Sequence, residues 1–108
     1  VIPEEELNIA KNCSLSNPDV ESCGLFCELN KKIYFLKCEN KSNNPRYEFV
    51  IDPYVFIDNN VKCVFHSHTE SSAHPSRQDM IYSDELEVPF LIYSIKEDSF
   101  FLYENVSV

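Results

Sequence analysis

Six short apolar runs, "ESCGLFCEL", "IYFLKCE", "YEFVIDP", "VKCVFHSH", "PFLIYSI" and "SFFLYEN", constrain the fold of this chain more than any other feature. Each is rich in aromatic or β-branched residues, is short for a buried helix and is bounded by polar turn residues, the pattern of β-strands. The first two are separated only by "NKK" and read as a hairpin. The last two, joined by "KED", read as another. Between them the chain offers helices. Pro3 followed by Glu4, Glu5 and Glu6 marks a helix start, because proline suits a first turn and carboxylates favour the positive end of the helix dipole. Leu7, Ala10 and Cys13 form its expected buried stripe, and "SNPD" at residues 16–19 ends it. Pro53 opens a short helix through Ile57, and a longer one is expected from Arg77 to Leu86. The chain therefore reads as one domain over residues 1–108, of the α/β class in its mixed α+β form, with five or six short strands and two substantial helices.

Composition narrows the function classes. Hydrophobic residues are 44% and aromatics 13% of the 108 residues, enough for one packed core. The formal net charge is -9, and the nine Lys and Arg are scattered, so a nucleic-acid partner is not expected. No apolar stretch nears the roughly 18 residues of a membrane span, and "VIPEEELNIAKN" lacks the basic and apolar regions of a secretion signal. The chain is thus expected to be soluble, with no membrane partner. Cys13, Cys23, Cys27, Cys38 and Cys63 are an odd set without zinc-finger spacing and read as buried free thiols of a reducing compartment. Cys23 and Cys27 share one face of a strand, but no second pair completes a soft-metal site.

All three histidines lie in "HSHTESSAHPSRQD". On a strand, residues i and i+2 face the same way, so His66 and His68 can aim both imidazoles at one point. As an isolated pair they read better as one hydrogen-bonded core histidine and one surface histidine. Ser76 and Asp79 after Pro75 form a Ser-x-x-Asp capping box, a sufficient reason for both residues in isolation. A carboxylate in the first turn of that helix also faces back toward the histidine strand. Two imidazoles and one carboxylate supply three ligands and leave a fourth position for water, which is the composition of a catalytic rather than a structural zinc site.

His66-x-His68, seven residues, Ser76, two residues and Asp79 together resemble the motif of the JAMM, or MPN-plus, metallopeptidases. The similarity continues through "NPRYEFVIDPYVFI", "AHPSRQD" and "VPFLIYS", in the order found in the JAMM module of lambda-type phage tail assembly proteins, and covers nearly the whole chain. Thr69 stands where many relatives have proline, and the NlpC-type peptidase domain that often follows is absent. The resemblance implies a central mixed sheet flanked by helices, layered as in the cytidine deaminases. It implies one zinc ion held by His66, His68 and Asp79. Glu21 in "VESCGLFC" matches the family's upstream glutamate and is implied as general base, although alone it reads as a solvent-facing residue at a strand start. Ser76 is implied as a hydrogen-bond donor to the oxyanion. The implied reaction is hydrolysis of a peptide or isopeptide bond. The implied substrate is a peptide or protein, of the phage tail or the ubiquitin-like class, in the cytoplasm of a phage-infected or prophage-carrying bacterium or in the virion.

Gly24, the only glycine, is expected where no side chain fits, beside the site. His74 has no assigned role, and Tyr82 and Asp84 are explained by helix packing and solvent exposure. A non-catalytic MPN-type scaffold or tail assembly module is the competing reading. Nucleoside deamination is set aside, because Pro-Cys-x-x-Cys does not occur.

Overall fold

A computed structural model of the chain describes residues 2–104. Helix α1 (Glu4–Ser16) follows Pro3, with Glu4, Glu5 and Glu6 in its first turn. Its fully buried residues are Ala10 and Ser14, whereas Leu7 and Cys13 are only half-buried. The Ser14 hydroxyl can sit there because it donates to the Ala10 carbonyl at 3.1 Å. Strands β1 (Cys23–Leu29) and β2 (Lys32–Cys38) form the expected hairpin. Asn30 and Lys31 both take positive φ, 53° and 65°, as a two-residue primed turn between twisted strands requires.

Helix α2 (Pro53–Ile57) begins at the proline, and the Asp52 side chain accepts the Tyr54 N–H. Strand β3 (Val61–His68), helix α3 (Arg77–Leu86), strand β4 (Phe90–Ser94) and strand β5 (Ser99–Tyr103) complete the chain. The expected strand "SFFLYEN" ends at Tyr103, and its Asn105 lies outside the described residues. The five strands form one mixed sheet in the order β2-β1-β3-β4-β5. Only β3 and β4 are parallel, because α3 carries the chain back between them.

One clear difference from the sequence reading concerns "YEFVIDP", which is not a strand. The Asn44 carbonyl accepts the N–H groups of Tyr47 and Glu48, both at 3.1 Å. The Asn40 side chain accepts from Val50 N–H at 3.1 Å and donates to the Glu48 carbonyl at 3.0 Å. A side-chain amide thus takes the bonds a neighbouring strand would have taken, and the segment lies over the sheet rather than in it.

Two apolar clusters flank the sheet. On one face Phe26, Phe65, Leu91 and Tyr93 pack with Ala10 of α1. On the other, Leu25, Cys27, Val64 and Phe90 pack beneath Phe49, Ile51, Val55 and Phe56 of the overlying segment and α2. The alternation that sends Phe65 to the first face sends His66 to the second.

Candidate metal centre

The C-terminal end of β3 lies at the middle of the sheet, with β1 on one side and β4 on the other. Cys23 is the register partner of His66, so the residues just before β1 lie beside the histidines. This is how Glu21, distant in sequence, arrives at the site. Its backbone is held at both its N–H and its carbonyl. Glu21 N–H donates to the Pro45 carbonyl at 2.7 Å, and the Asn40 amide donates to the Glu21 carbonyl at 2.9 Å. The next residue is held to β3, where Ser22 N–H donates to Ser67 Oγ at 2.8 Å.

His66, His68 and Asp79 are all buried, and one possible ligand atom from each lies within 4.8 Å of the others. Asp79 Oδ1 is 3.1 Å from His66 Nε2, and Oδ2 is 3.1 Å from His68 Nε2. Ser76 caps α3: its Oγ accepts the Asp79 N–H at 3.1 Å, and its own N–H donates to Asp79 Oδ2 at 2.9 Å. The capping box therefore exists, and it also orients the carboxylate toward the imidazoles.

The ring nitrogens carry the chemical information. His68 Nδ1 lies 2.7 Å from the Ser72 carbonyl. A carbonyl can only accept, so Nδ1 holds the hydrogen, and in the neutral ring Nε2 presents its lone pair to Asp79 Oδ2. Two acceptors face each other there, an arrangement that needs a proton or a metal cation between them. His66 is fully buried, and neither ring nitrogen has a hydrogen-bond partner among the described residues. Its Nε2 is close to Asp79 Oδ1 but out of line for a hydrogen bond. An unsatisfied buried polar group costs about 1–3 kcal/mol, and a cation bound at Nε2 would remove that cost at this one of the two nitrogens. The ring is fixed by stacking on Phe49, with centroids 4.4 Å apart and planes 21° apart, and by the edge of Phe90.

The electrostatics agree. Burial favours neutral His66 and holds its pKa below the usual value. Burial also opposes charge on His68, but Asp79 and the Ser72 carbonyl outweigh it and raise its pKa. For Asp79 burial is again opposed, here by the contacts with His66 and His68, and the carboxyl stays well below the usual range. Glu21 is the opposite case: burial pushes its pKa up to about 8, only partly offset by His68. The surroundings thus favour an ionised Asp79 and a protonated Glu21.

Glu21, His68, Ser76 and Asp79 line one cleft of about 980 Å³. One wall is formed by Arg46 to Val50 and the other by the first turns of α3. Thr69 joins the floor to the first wall, donating to the Arg46 carbonyl at 3.0 Å. All five sequence-derived site residues are thus at one place, and Glu21 is a buried residue rather than a solvent-facing one. His74 is exposed and packs edge-on to Phe101, away from the ligand set. Sequence reading missed the Ser72 carbonyl, Asn40 and Phe49. Ser67 was detectable, since the middle residue of His-x-His on a strand must face away.

Gly24 is crowded, but on the α1 face and not beside the site, in contrast to the sequence expectation. A Cβ there would lie 2.5 Å from Phe35 Cζ and 2.6 Å from the Leu36 carbonyl oxygen.

Ser76→Ala is expected to cost about 1 kcal/mol of stability, the usual loss for an N-cap, read as a lower denaturation midpoint. Ser76→Asp should restore most of it, because aspartate also caps.

No known protein-family profile matches the chain, and no curated protein does. Solved structures do. A solution structure of a protein from Desulfitobacterium hafniense superposes with a TM-score of 0.63 at 17% identity, covering 97% of this chain and 90% of the other. A second, from Salinibacter ruber, gives a TM-score of 0.57 at 18% identity, covering 96% of this chain and 80% of the other. At such identities the likeness is one of fold alone.

Proposed function

We propose that this protein is a zinc-dependent peptidase or isopeptidase of the JAMM type. The reading rests on one observation: buried His66 and His68 converge on Asp79 with an unsatisfied ring nitrogen, and Glu21 shares their cleft. Two imidazoles and a carboxylate suit zinc better than the hard cations, which prefer all-oxygen sets. Bound there, zinc supplies Lewis acidity that lowers the pKa of water to about 7. Asp79 offers its carboxylate already ionised, and the Ser72 carbonyl keeps His68 in the tautomer that leaves Nε2 free to bind. Glu21 takes the proton from the attacking water and returns it to the leaving amine. The Ser76 hydroxyl hydrogen, unused in the cap, donates to the oxyanion of the tetrahedral intermediate. Segment 46–50 and α3 hold the chain to be cut between them. The resemblance further suggests a phage tail protein or a ubiquitin-like tag as substrate, and a bacterial cytoplasm or a virion as the setting.

The protein is expected to take up one equivalent of zinc, measured by elemental analysis after dialysis. With free zinc a thousandfold above its dissociation constant, binding stabilises the fold by about 4 kcal/mol, a rise in Tm of roughly 15 °C or more for a domain of this size. Asp79→Asn keeps an acceptor for the Ser76 N–H yet should lose the zinc and the Tm rise. A wild-type protein that stays metal-free in micromolar zinc would defeat the proposal and leave the MPN-type scaffold.

A further inference from the structure

The two edges of the sheet are finished differently. Strand β2 carries Lys32 and Lys37, and its Phe35 N–H is taken by the Glu6 carboxylate of α1 at 2.7 Å. Both are standard ways of closing an edge to further strands. Strand β5 has neither. Its residues Ser99, Phe100, Phe101, Leu102 and Tyr103 include no charge and no proline, and no described strand lies on its outer side. Phe100 is 39% exposed, Phe101 40% and Leu102 48%. Phe101 pairs with Ile92 and Phe100 with Tyr93, so alternation leaves apolar surface uncovered on both faces of this edge.

The surroundings are acidic. Lys96, Glu97 and Asp98 precede the strand and Glu104 follows it, three carboxylates to one ammonium. Asp84 Oδ1 of α3 lies 3.1 Å from the Tyr103 hydroxyl. Of these four carboxylates only Asp98 has an ion-pair partner among the described residues, Lys11 at 2.8 Å. The whole chain carries -9. We propose that the outer edge of β5 binds an extended segment of another protein, apolar over about five residues and bracketed by Lys or Arg, as a further strand of the sheet. A second copy of this chain fits less well. Antiparallel pairing centred on Phe101 would set Phe100 against Leu102 favourably, but it would oppose Asp98 to Glu104 at both ends and bring together two strongly acidic molecules.

The probe is a synthetic peptide, acetyl-Lys-Arg-Val-Tyr-Val-Phe-Val-Lys-Arg-amide, titrated into the isotope-labelled full chain and followed by amide shifts and hydrogen exchange. The basic-flanked peptide should bind at least about tenfold tighter than its Glu-flanked counterpart, weaken with salt, and protect amides of β5. A central proline in the peptide should abolish protection. Leu102→Lys, at an exposed position, should weaken binding about tenfold without lowering Tm or zinc uptake. Equal affinity for both peptides, or shifts confined to the metal cleft, overturns the proposal. So does sedimentation of the wild type as a dimer that Phe101→Lys converts to a monomer, which assigns the edge to a second copy.

Discussion

Glu21→Gln is expected to retain zinc at the wild-type stoichiometry and to lose roughly two to four orders of magnitude in kcat, the range attributed to a positioned acid–base group. Digestion of a pooled peptide library, followed by mass spectrometry, gives the readout for whichever sequence the cleft accepts. Glutamine keeps the shape of the side chain and cannot carry the proton. The distinction from a ligand variant follows from position: Glu21 shares the cleft but is not among the three converging ligand residues. The same substitution has an opposite effect on the metal-free fold. Burial raises the Glu21 pKa from 4.5 to about 8. A carboxyl whose folded pKa is raised contributes most stability below its unfolded pKa and loses it as pH climbs through the folded value. In chelator-treated protein the wild type should therefore weaken relative to Glu21→Gln between about pH 4.5 and 8. At pH 7 the variant should be more stable by on the order of 1–3 kcal/mol, once the openness of the cleft is allowed for. A group kept at such a cost to stability is expected of a functional site. Equal activity in the two proteins would remove Glu21 from the mechanism.

The elements legible in the sequence were those whose bonds close locally or within the sheet. The two-residue period of a strand set His66 and His68 on one face of β3, and Pro3 and Ser76 marked helix starts that the structure reproduces. "YEFVIDP" has the same alternation and no strand, because Asn40, seven residues before it, takes the backbone bonds with its side chain. Nothing in the local pattern reports such a substitution. Asp79 was legible for two reasons at once, and both hold: it is a capping residue and it faces the imidazoles. Glu21 was legible only through the resemblance. What brings it to the histidines is the pairing of Cys23 with His66, a contact between residues far apart in sequence. The Ser72 carbonyl, which sets the His68 tautomer, is a backbone atom of a loop and leaves no trace in residue types.

Gly24→Ala is expected to destabilise the protein by about 3 kcal/mol or more, at the upper end of what overpacking costs. The glycine does not adopt a left-handed conformation, so the reason is space rather than φ. The added methyl would meet the Phe35 ring at 2.5 Å and the Leu36 carbonyl oxygen at 2.6 Å. The ring has little freedom to retreat, being packed on Phe26 at 5.1 Å and Phe65 at 5.6 Å between centroids. The carbonyl belongs to β2, where Leu25 pairs with Leu36 and Gly24 with Lys37, so moving it displaces the hairpin. For a domain near 100 residues such a loss corresponds to a fall in Tm of roughly 12–24 °C. Phe35→Leu added to Gly24→Ala should recover only part of the loss, because the clash with backbone remains. Zinc uptake offers an independent reading. Cys23, the adjacent residue, pairs with His66, so a shifted β1 should weaken metal binding as well as the fold. A Gly24→Ala protein with wild-type Tm would mean that β1 and β2 are not packed as described, and the placement of Glu21 beside the histidines would fall with them.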